Sequence, residues 1–235
     1  MSVCLLTIGP MRVCRVCRGP VAAGFSRCYQ CERHWQAAGG WLADAVLPIG
    51  YAIKGGQFAI DLWRYKAGDH VAGERLRAML RDFLRDHGSC AWRAAGMAVP
   101  PGRVAVVPSG QGRAEPHPLA LLVASCVKLP AVRLAARTPD VPLGREIGLG
   151  WLRVDGAVAN ESVLVVDDTW VSGGSAQSVA VALKLAGAAR VVVVVLGRHV
   201  DPGSPQSAGR QAPGHQCVQR NEGKRRKEEW RTHVT

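Results

Sequence analysis

The sequence predicts an α/β fold in which helices flank a parallel sheet, with a small four-cysteine module ahead of it. Two valine-rich runs, at 163–168 and 189–199, are apolar on both faces, as the interior strands of a parallel sheet are. Between them, the segment 175–188 has the composition of a helix that closes at Gly187. Strand, helix and strand within about 35 residues form a βαβ unit, which requires a parallel sheet covered by helices.

Four of the eight cysteines stand in one short segment, "CRVCRGPVAAGFSRCYQC", with a C-x2-C-x10-C-x2-C spacing. A two-residue gap lets both thiolates of a pair point at one centre, and four thiolates complete a tetrahedral zinc shell with no open position. We therefore predict a structural Zn²⁺ site rather than disulfides, because no secretion signal accompanies the cysteines. The predicted ligands are Cys14, Cys17, Cys28 and Cys31. We interpret His34, three residues further on, as a surface residue and not as a replacement ligand.

The other elements are predicted from apolar periodicity. Apolar residues recur at helical spacing over 70–87, with Arg and Asp on the opposite face, and predict a helix. The stretch "RVAVVPSG" (103–110) predicts a buried strand that runs into a tight loop, and 116–128 an apolar helix with proline in its first turn. "AVRLAAR" at 131–137 is a possible strand. Residues 137–160 show no sustained period until their end and predict a loop.

Three units follow from these patterns. Residues 1–40 form the predicted zinc-binding module, and 41–200 form the α/β domain. Residues 201–235 are rich in Gly, Pro, Ser and charge and nearly free of aliphatic side chains. Such a segment cannot bury enough apolar surface to offset the entropy lost on ordering, so we predict a disordered basic tail.

Composition sets the broad class. Of the 235 residues, 48% are hydrophobic and 20% are charged, which is typical of a globular protein. Because the sequence shows neither a basic leader with an apolar core nor an apolar run of about 18 residues, we expect no signal peptide, no membrane span and a cytoplasmic location. The formal net charge of +12 favours polyanions, but the arginines are scattered and are not interleaved with aromatic residues, as a dedicated nucleic-acid groove requires.

The stretch "VVDDTWVSGGSAQSVA" (165–180) contains the candidate ligand site. Asp167 and Asp168 close the predicted strand, and the ligands of open α/β sheets bind at the carboxyl ends of strands. A small, hydroxyl-rich loop then leads into a helix, whose free amides and dipole favour an anion. The candidate phosphate-binding residues are Val171, Ser172, Gly173, Gly174 and Ser175. The two carboxylates can accept hydrogen bonds from a vicinal diol, or bind it through a divalent ion. A diol site beside a phosphate site predicts a ribose 5-phosphate ligand. The alternative is a Gly/Ser turn with acidic surface residues.

The segment "VLVVDDTWVSGGS" (163–175) resembles the thirteen-residue phosphoribosyl pyrophosphate signature of type I phosphoribosyltransferases. With the four-thiolate knuckles in front and "LWRYKAG" at 62–68, the chain is similar to the ComF family of competence-associated proteins over about residues 12–199. In that family a small zinc module precedes a phosphoribosyltransferase domain. The resemblance therefore implies that the sheet of 41–200 is type I phosphoribosyltransferase-like.

The resemblance also implies roles for individual residues. Asp167 and Asp168 match the ribose-binding acids, and 171–175 match the 5-phosphate loop. "VVPSG" at 106–110 falls where the family has its pyrophosphate loop. The pyrophosphate-loop residues would be Pro108, Ser109 and Gly110, which add little bulk and of which Ser109 and Gly110 offer backbone donors. Mg²⁺, bound with phosphoribosyl pyrophosphate, is implied as a second cofactor beside zinc.

Two departures from the signature bear on catalysis. Trp170 stands where a modest aliphatic residue is usual, and Val171 where some purine-salvage relatives carry an acidic base, so the catalytic residues are unknown. Arg113 is a candidate partner for pyrophosphate. The candidates in a mobile catalytic loop are Arg137, Arg145 and Arg153. The predicted function is to bind phosphoribosyl pyrophosphate and Mg²⁺ and to transfer, or formerly to have transferred, ribose 5-phosphate to an acceptor that the sequence does not name. The alternative is a non-catalytic ComF-like accessory of competence that contacts nucleic acid or the DNA-uptake machinery.

Overall fold

A computed structural model of the chain describes residues 13–109, 117–136 and 145–203. The strands are β1 (Ala45–Ile53), β2 (Arg103–Val106), β3 (Arg133–Ala136), β4 (Leu152–Asp155), β5 (Ser162–Trp170) and β6 (Arg190–Val200). The α-helices are α1 (Tyr29–Ala38), α2 (Gln57–Arg64), α3 (His70–Ala94), α4 (Pro118–Cys126) and α5 (Gly174–Leu185), with 3-10 turns at Gly39–Trp41 and Tyr65–Ala67. Four strands form a parallel sheet in the order β1-β6-β5-β2, and β3 pairs with β4 in an antiparallel ribbon.

The centre of the sheet is built from the two valine-rich runs. In β5 and β6 every side chain from Val163 to Val166 and from Val191 to Leu196 is buried. The two strands run side by side with Val166 opposite Val194. Continuous β-branched runs suit this position, because both faces of an interior parallel strand are covered and no position needs to be polar.

Helices cover both faces of the sheet, as predicted. Alternate residues of β5, among them Leu164 and Val166, pack with α2, α3 and α4. The residues between them, Val163 and Val165, pack with α5 and with the four-cysteine module. The parallel sheet flanked by helices is thereby confirmed, as is a four-cysteine cluster in the N-terminal part of the chain. This layering also determines on which face of the sheet each side chain of β5 lies, including those of the acids at its end.

Two helices differ from their predicted bounds. The helix predicted over 70–87 extends to Ala94, because the buried stripe that includes Phe83 continues through Ala91. Its first turn is capped by Asp69, whose Oδ1 accepts a hydrogen bond of 3.0 Å from the amide of Ala72. The helix predicted over 116–128 is α4, which is shorter and begins with Pro118 at its first position.

The segment predicted as a loop at 137–160 contains a strand. Its last part, β4, pairs with β3, so the possible strand at 131–137 is confirmed and the loop interpretation is wrong for residues 152–155. The sequence did not predict this strand because its period-two pattern, in which Leu152 is buried and Arg153 is exposed, covers too few residues to stand out. Gly110, Arg113 and Arg137 lie outside the described residues, as do positions 204–235 of the predicted tail. Within the described part of the chain, no helix combines the length and the apolar character that crossing a membrane requires.

Candidate functional site

Asp167 and Asp168 lie near the carboxyl end of β5. Alternation along the strand places the two side chains on opposite faces, with Asp168 toward α2 and Asp167 toward α5. Both residues are nearly buried, with exposed fractions of 9% and 8%. The amide of Val107 donates to the carbonyl of Val166, so the predicted pyrophosphate-loop residue Pro108 follows its strand at the same edge of the sheet. The structure therefore brings the acids and the start of that loop to one edge.

The carboxylate of Asp168 is held by two side chains that the sequence did not single out. Tyr65 donates its hydroxyl to Asp168 Oδ2, and Lys66 donates from Nζ to Oδ1 at 2.7 Å. Both donors belong to the 3-10 turn that ends α2, inside the "LWRYKAG" stretch. Tyr65 is buried and Lys66 is partly buried, so this ion pair is less screened by solvent than a surface pair. The turn fixes Asp168 and brings a cation to the strand end.

Asp167 lies in a different environment. Its Oδ1 accepts a hydrogen bond of 2.8 Å from the amide of Asp168, which directs the carboxyl group along the chain. Burial and, next, the negative charge of Asp168 raise the pKa of Asp167 to about 8, although Lys66 and backbone donors act in the opposite direction. A buried acid with a strongly raised pKa beside a second acid is a frequent mark of a functional site.

The loop 171–175 turns from β5 into α5 with amides available to an anion. Gly173 is the residue before the helix and has a φ of 88°, in the left-handed region. The amide of Gly174 lies 3.4 Å from Ser172 Oγ, a weak contact. The amides of Ser172, Gly173 and Ser175 have no acceptor within the part of the chain that the structure describes. As far as the described residues go, this helix start is therefore open to an anion.

Trp170 supports the loop from inside the protein. Its side chain is 1% exposed, and a Cβ placed on Gly173 would lie 2.1 Å from Trp170 Cζ2. Glycine is thus required at 173 both for its backbone conformation and for the close approach of the indole. The tryptophan that departs from the aliphatic residue of the signature has a structural role beneath the candidate phosphate loop.

Replacement of Gly173 with alanine is expected to lower the free energy of unfolding by about 3 kcal/mol, as the sum of left-handed strain and overpacking against Trp170. Gly55→Ala is the matched control, because Gly55 has a φ of 83° and a Cβ there would meet nothing within 4 Å. It isolates the backbone strain and should cost about 1 kcal/mol. Urea unfolding of both variants measures the difference, and equal losses would show that the indole does not support the loop.

The four predicted zinc ligands converge. The sulfur atoms of the cysteines at 14, 17, 28 and 31 all lie within 4.8 Å of one another, and Cys17 Sγ is 3.8 Å from Cys28 Sγ. A tetrahedral site with Zn–S bonds of about 2.3 Å requires sulfur separations of about 3.8 Å, so the residues fit the ion. Cys28 precedes the first residue of α1 and Cys31 lies in its first turn, where the helix dipole stabilises thiolates. Bound zinc would supply a structural cross-link there, with no open coordination position.

The prediction that His34 is a surface residue is wrong. This residue of α1 is 1% exposed, and its side chain faces residue 145, where Nε2 donates to the carbonyl oxygen of Arg145 at 3.0 Å. Burial lowers the pKa of His34, so the ring is neutral at neutral pH. Of the candidate arginines that the structure describes, Arg145 is anchored through its backbone and Arg153 pairs with Asp155 on β4, at 2.9 Å.

The fold and the site define an α/β protein with a parallel sheet, a strand-end pair of acids and a four-cysteine cluster. No protein family matches the sequence, and no curated protein is similar to it. Solved structures that match part of the chain include a phosphoribosyltransferase from Corynebacterium diphtheriae, at 20% identity and a TM-score of 0.35 over 64% of this chain and 89% of that one. A purine phosphoribosyltransferase from Pyrococcus horikoshii Ot3 matches at 16% identity and a TM-score of 0.34, over 56% of this chain and 87% of that one. The phosphoribosylpyrophosphate synthetase from Mycobacterium smegmatis matches 57% of this chain at 17% identity and a TM-score of 0.33, and the chain spans 37% of the synthetase's length.

Proposed function

We propose that this chain is a phosphoribosyltransferase-type protein that binds phosphoribosyl pyrophosphate with Mg²⁺. The observation that carries the proposal is the junction of β5 and α5. There, two buried acids adjoin a loop whose amides at Ser172, Gly173 and Ser175 have no acceptor among the described residues. A site for a diol beside a site for a monophosphate matches a ribose 5-phosphate moiety.

The acids retain the capacity to bind ribose hydroxyls. Each oxygen of Asp168 accepts one hydrogen bond, from Tyr65 or from Lys66, whereas a carboxylate offers about four lone-pair sites. Asp167 holds a proton near neutral pH, so it can donate to one sugar oxygen while it accepts from another hydroxyl. A ligand lying across the end of β5 would meet one acid on each side.

The phosphates of the ligand have separate donors in this proposal. The 5-phosphate would accept hydrogen bonds from the amides of Ser172, Gly173 and Ser175 and lie at the positive end of the α5 dipole. The pyrophosphate would lie near Pro108 and Ser109, at the end of the neighbouring strand β2. Mg²⁺ is commonly bound by substrate phosphates with retained waters, and the oxygen-rich strand end fits such an ion. Bound there, it would neutralise negative charge on the pyrophosphate.

The proposed reaction transfers ribose 5-phosphate to a nucleophilic acceptor. The bond from C1 of the ribose to pyrophosphate breaks, the acceptor bonds to C1, and pyrophosphate leaves with the electron pair. Val171 supplies no proton-transfer group, and its side chain is 52% exposed. The chain would therefore act by holding the ribose and stabilising charge, rather than by acid–base chemistry at that position.

The binding test is isothermal titration with phosphoribosyl pyrophosphate and Mg²⁺. The wild-type chain is expected to bind saturably. Asp167→Asn combined with Asp168→Asn should weaken binding about 100-fold or more, since the ion-paired acceptor at 168 and the acid at 167 that can donate as well as accept are both lost. The matched control is Asp86→Asn with Asp155→Asn, which removes two exposed acids and at least as much negative charge. Unchanged binding by the first double variant would refute the site, and no binding by the wild type would refute the ligand.

A further inference from the structure

Arg198, near the carboxyl end of β6, holds the start of the candidate phosphate loop. One nitrogen of its guanidinium, Nη1, donates to the carbonyl oxygens of Trp170 at 2.9 Å and of Val171 at 3.1 Å. The same nitrogen donates to the carbonyl of His199 at 2.7 Å, which keeps the side chain folded against its own strand. The direction in which the backbone leaves β5 is therefore set by a charged side chain from the adjacent strand.

The other side of this guanidinium lies against the four-cysteine module. A Cβ placed on Gly19, in the arm between the two cysteine pairs, would lie 2.6 Å from Arg198 Nη2. Next to it, the carbonyl of Arg18 accepts a hydrogen bond of 2.6 Å from the hydroxyl of Tyr51 on β1. The turn 14–19 is itself closed by hydrogen bonds between Cys14 and the residues at 18 and 19. Gly19, which follows the first pair of cysteines, and the start of the phosphate loop thus adjoin the same side chain.

The module also holds a second segment beside the start of α5. Gln30 and His34 both bond to the carbonyl oxygen of Arg145, at 3.1 and 3.0 Å. Three residues later, the amide of Gly148 donates to Ser178 Oγ at 2.9 Å, in the second turn of α5. The helix that carries the second pair of cysteines is therefore linked, through one short segment, to the helix that begins at the candidate phosphate loop.

We infer that Arg198 is a positioning residue that couples zinc binding in the module to the conformation of the phosphate loop. The module is too small to fold on a core of its own, so the zinc cross-link keeps Gly19 and α1 in place. Gly19 in turn confines the guanidinium that fixes the carbonyls of 170 and 171. Loss of zinc releases these contacts and loosens the loop, while the sheet stays folded on its own valine core. The consequence for ligand affinity rests on the proposed function, but the consequence for the loop does not.

Hydrogen exchange on the full chain tests the coupling without any ligand. In zinc-loaded protein, Arg198→Met is expected to speed exchange in the peptide spanning 169–179 about fivefold, with the peptide spanning 191–196 unchanged. Gly19→Ala, which forces the guanidinium to shift, should act in the same direction. Gly40→Ala is the matched control, because a Cβ there meets nothing within 4 Å. Arg198→Lys retains the charge without the fork and should rescue the loop only in part.

Removal of zinc by a chelator should produce the same local pattern in the wild-type chain. The inference is overturned if zinc-loaded Arg198→Met exchanges like wild type at 169–179, or if chelation speeds 191–196 as much as 169–179. With phosphoribosyl pyrophosphate and Mg²⁺ as the probe, Arg198→Met should weaken binding about tenfold while keeping its zinc. If the wild type does not bind this probe, the proposed function fails and the exchange result still decides the coupling.

Discussion

Replacement of Cys31 with serine is expected to abolish zinc retention and to unfold the four-cysteine module. A hydroxyl is a poor ligand for zinc where a thiolate stood, and apparent binding free energies of structural zinc are about 10–16 kcal/mol near neutral pH. Most of that energy is folding energy for a segment that cannot build its own core. Native mass spectrometry should find one zinc per wild-type chain and none in the variant, and circular dichroism should record the loss of α1.

The thermal stability of the whole chain should fall as well, but the sheet should still fold. Cys31 is buried in the same apolar cluster as Val163 and Val165 of β5, so an unfolded module uncovers part of one face. Cys90→Ser is the matched control, since Cys90 is exposed and distant in sequence from the four ligands. A wild-type chain without zinc, or a Cys31→Ser chain that retains it, would contradict the assignment of the cluster as a zinc site.

The sheet was predictable because its determinants are local. The side chains of a run such as Val191–Leu196 are all buried only in an interior strand whose two faces are both covered. The helix between the two runs supplies the crossover connection. The convergence of the four cysteines was predictable for the same reason, since the spacing within each cysteine pair encodes its geometry. The strand β4 was missed because four residues of alternation are too few to outweigh the glycines around them.

The candidate site was predictable only in part. The acids and the loop 171–175 are neighbours in sequence, whereas Asp168 meets Tyr65 and Lys66 across more than one hundred positions. No local pattern predicts such a pairing, although "RYKAG" does contain a signal: an aromatic and a basic residue side by side in a turn that ends at Gly68. Arg198 was hidden in the same way, at the end of a strand whose other features concern only the core.

Asp167→Asn is expected to stabilise the protein, by an amount that grows with pH. The pKa of Asp167 is raised to about 8 by burial and by the charge of Asp168, compared with a reference value of 3.8. Between these two values folding takes up a proton, so the free energy of unfolding of the wild type falls as pH rises and levels off above about pH 8. Asparagine does not titrate, and its Oδ1 can still accept from the amide of Asp168. From the reference pKa to pH 7, at about 1.4 kcal/mol per pH unit, the gain should be on the order of 4 kcal/mol.

The gain is measured by guanidinium unfolding of both proteins at about pH 6, 7, 8 and 9, a series that spans the raised pKa. Protonation of the zinc ligands affects both proteins alike, so it cancels in the difference. Asp155→Asn serves as the control, because this acid is exposed beside Arg153 and should change stability by less than about 1 kcal/mol at every pH. A gain that stays constant from pH 6 to 9 would contradict the raised pKa. A variant that is more stable yet no longer binds the ligand would show that the chain retains a costly buried acid for binding and not for folding.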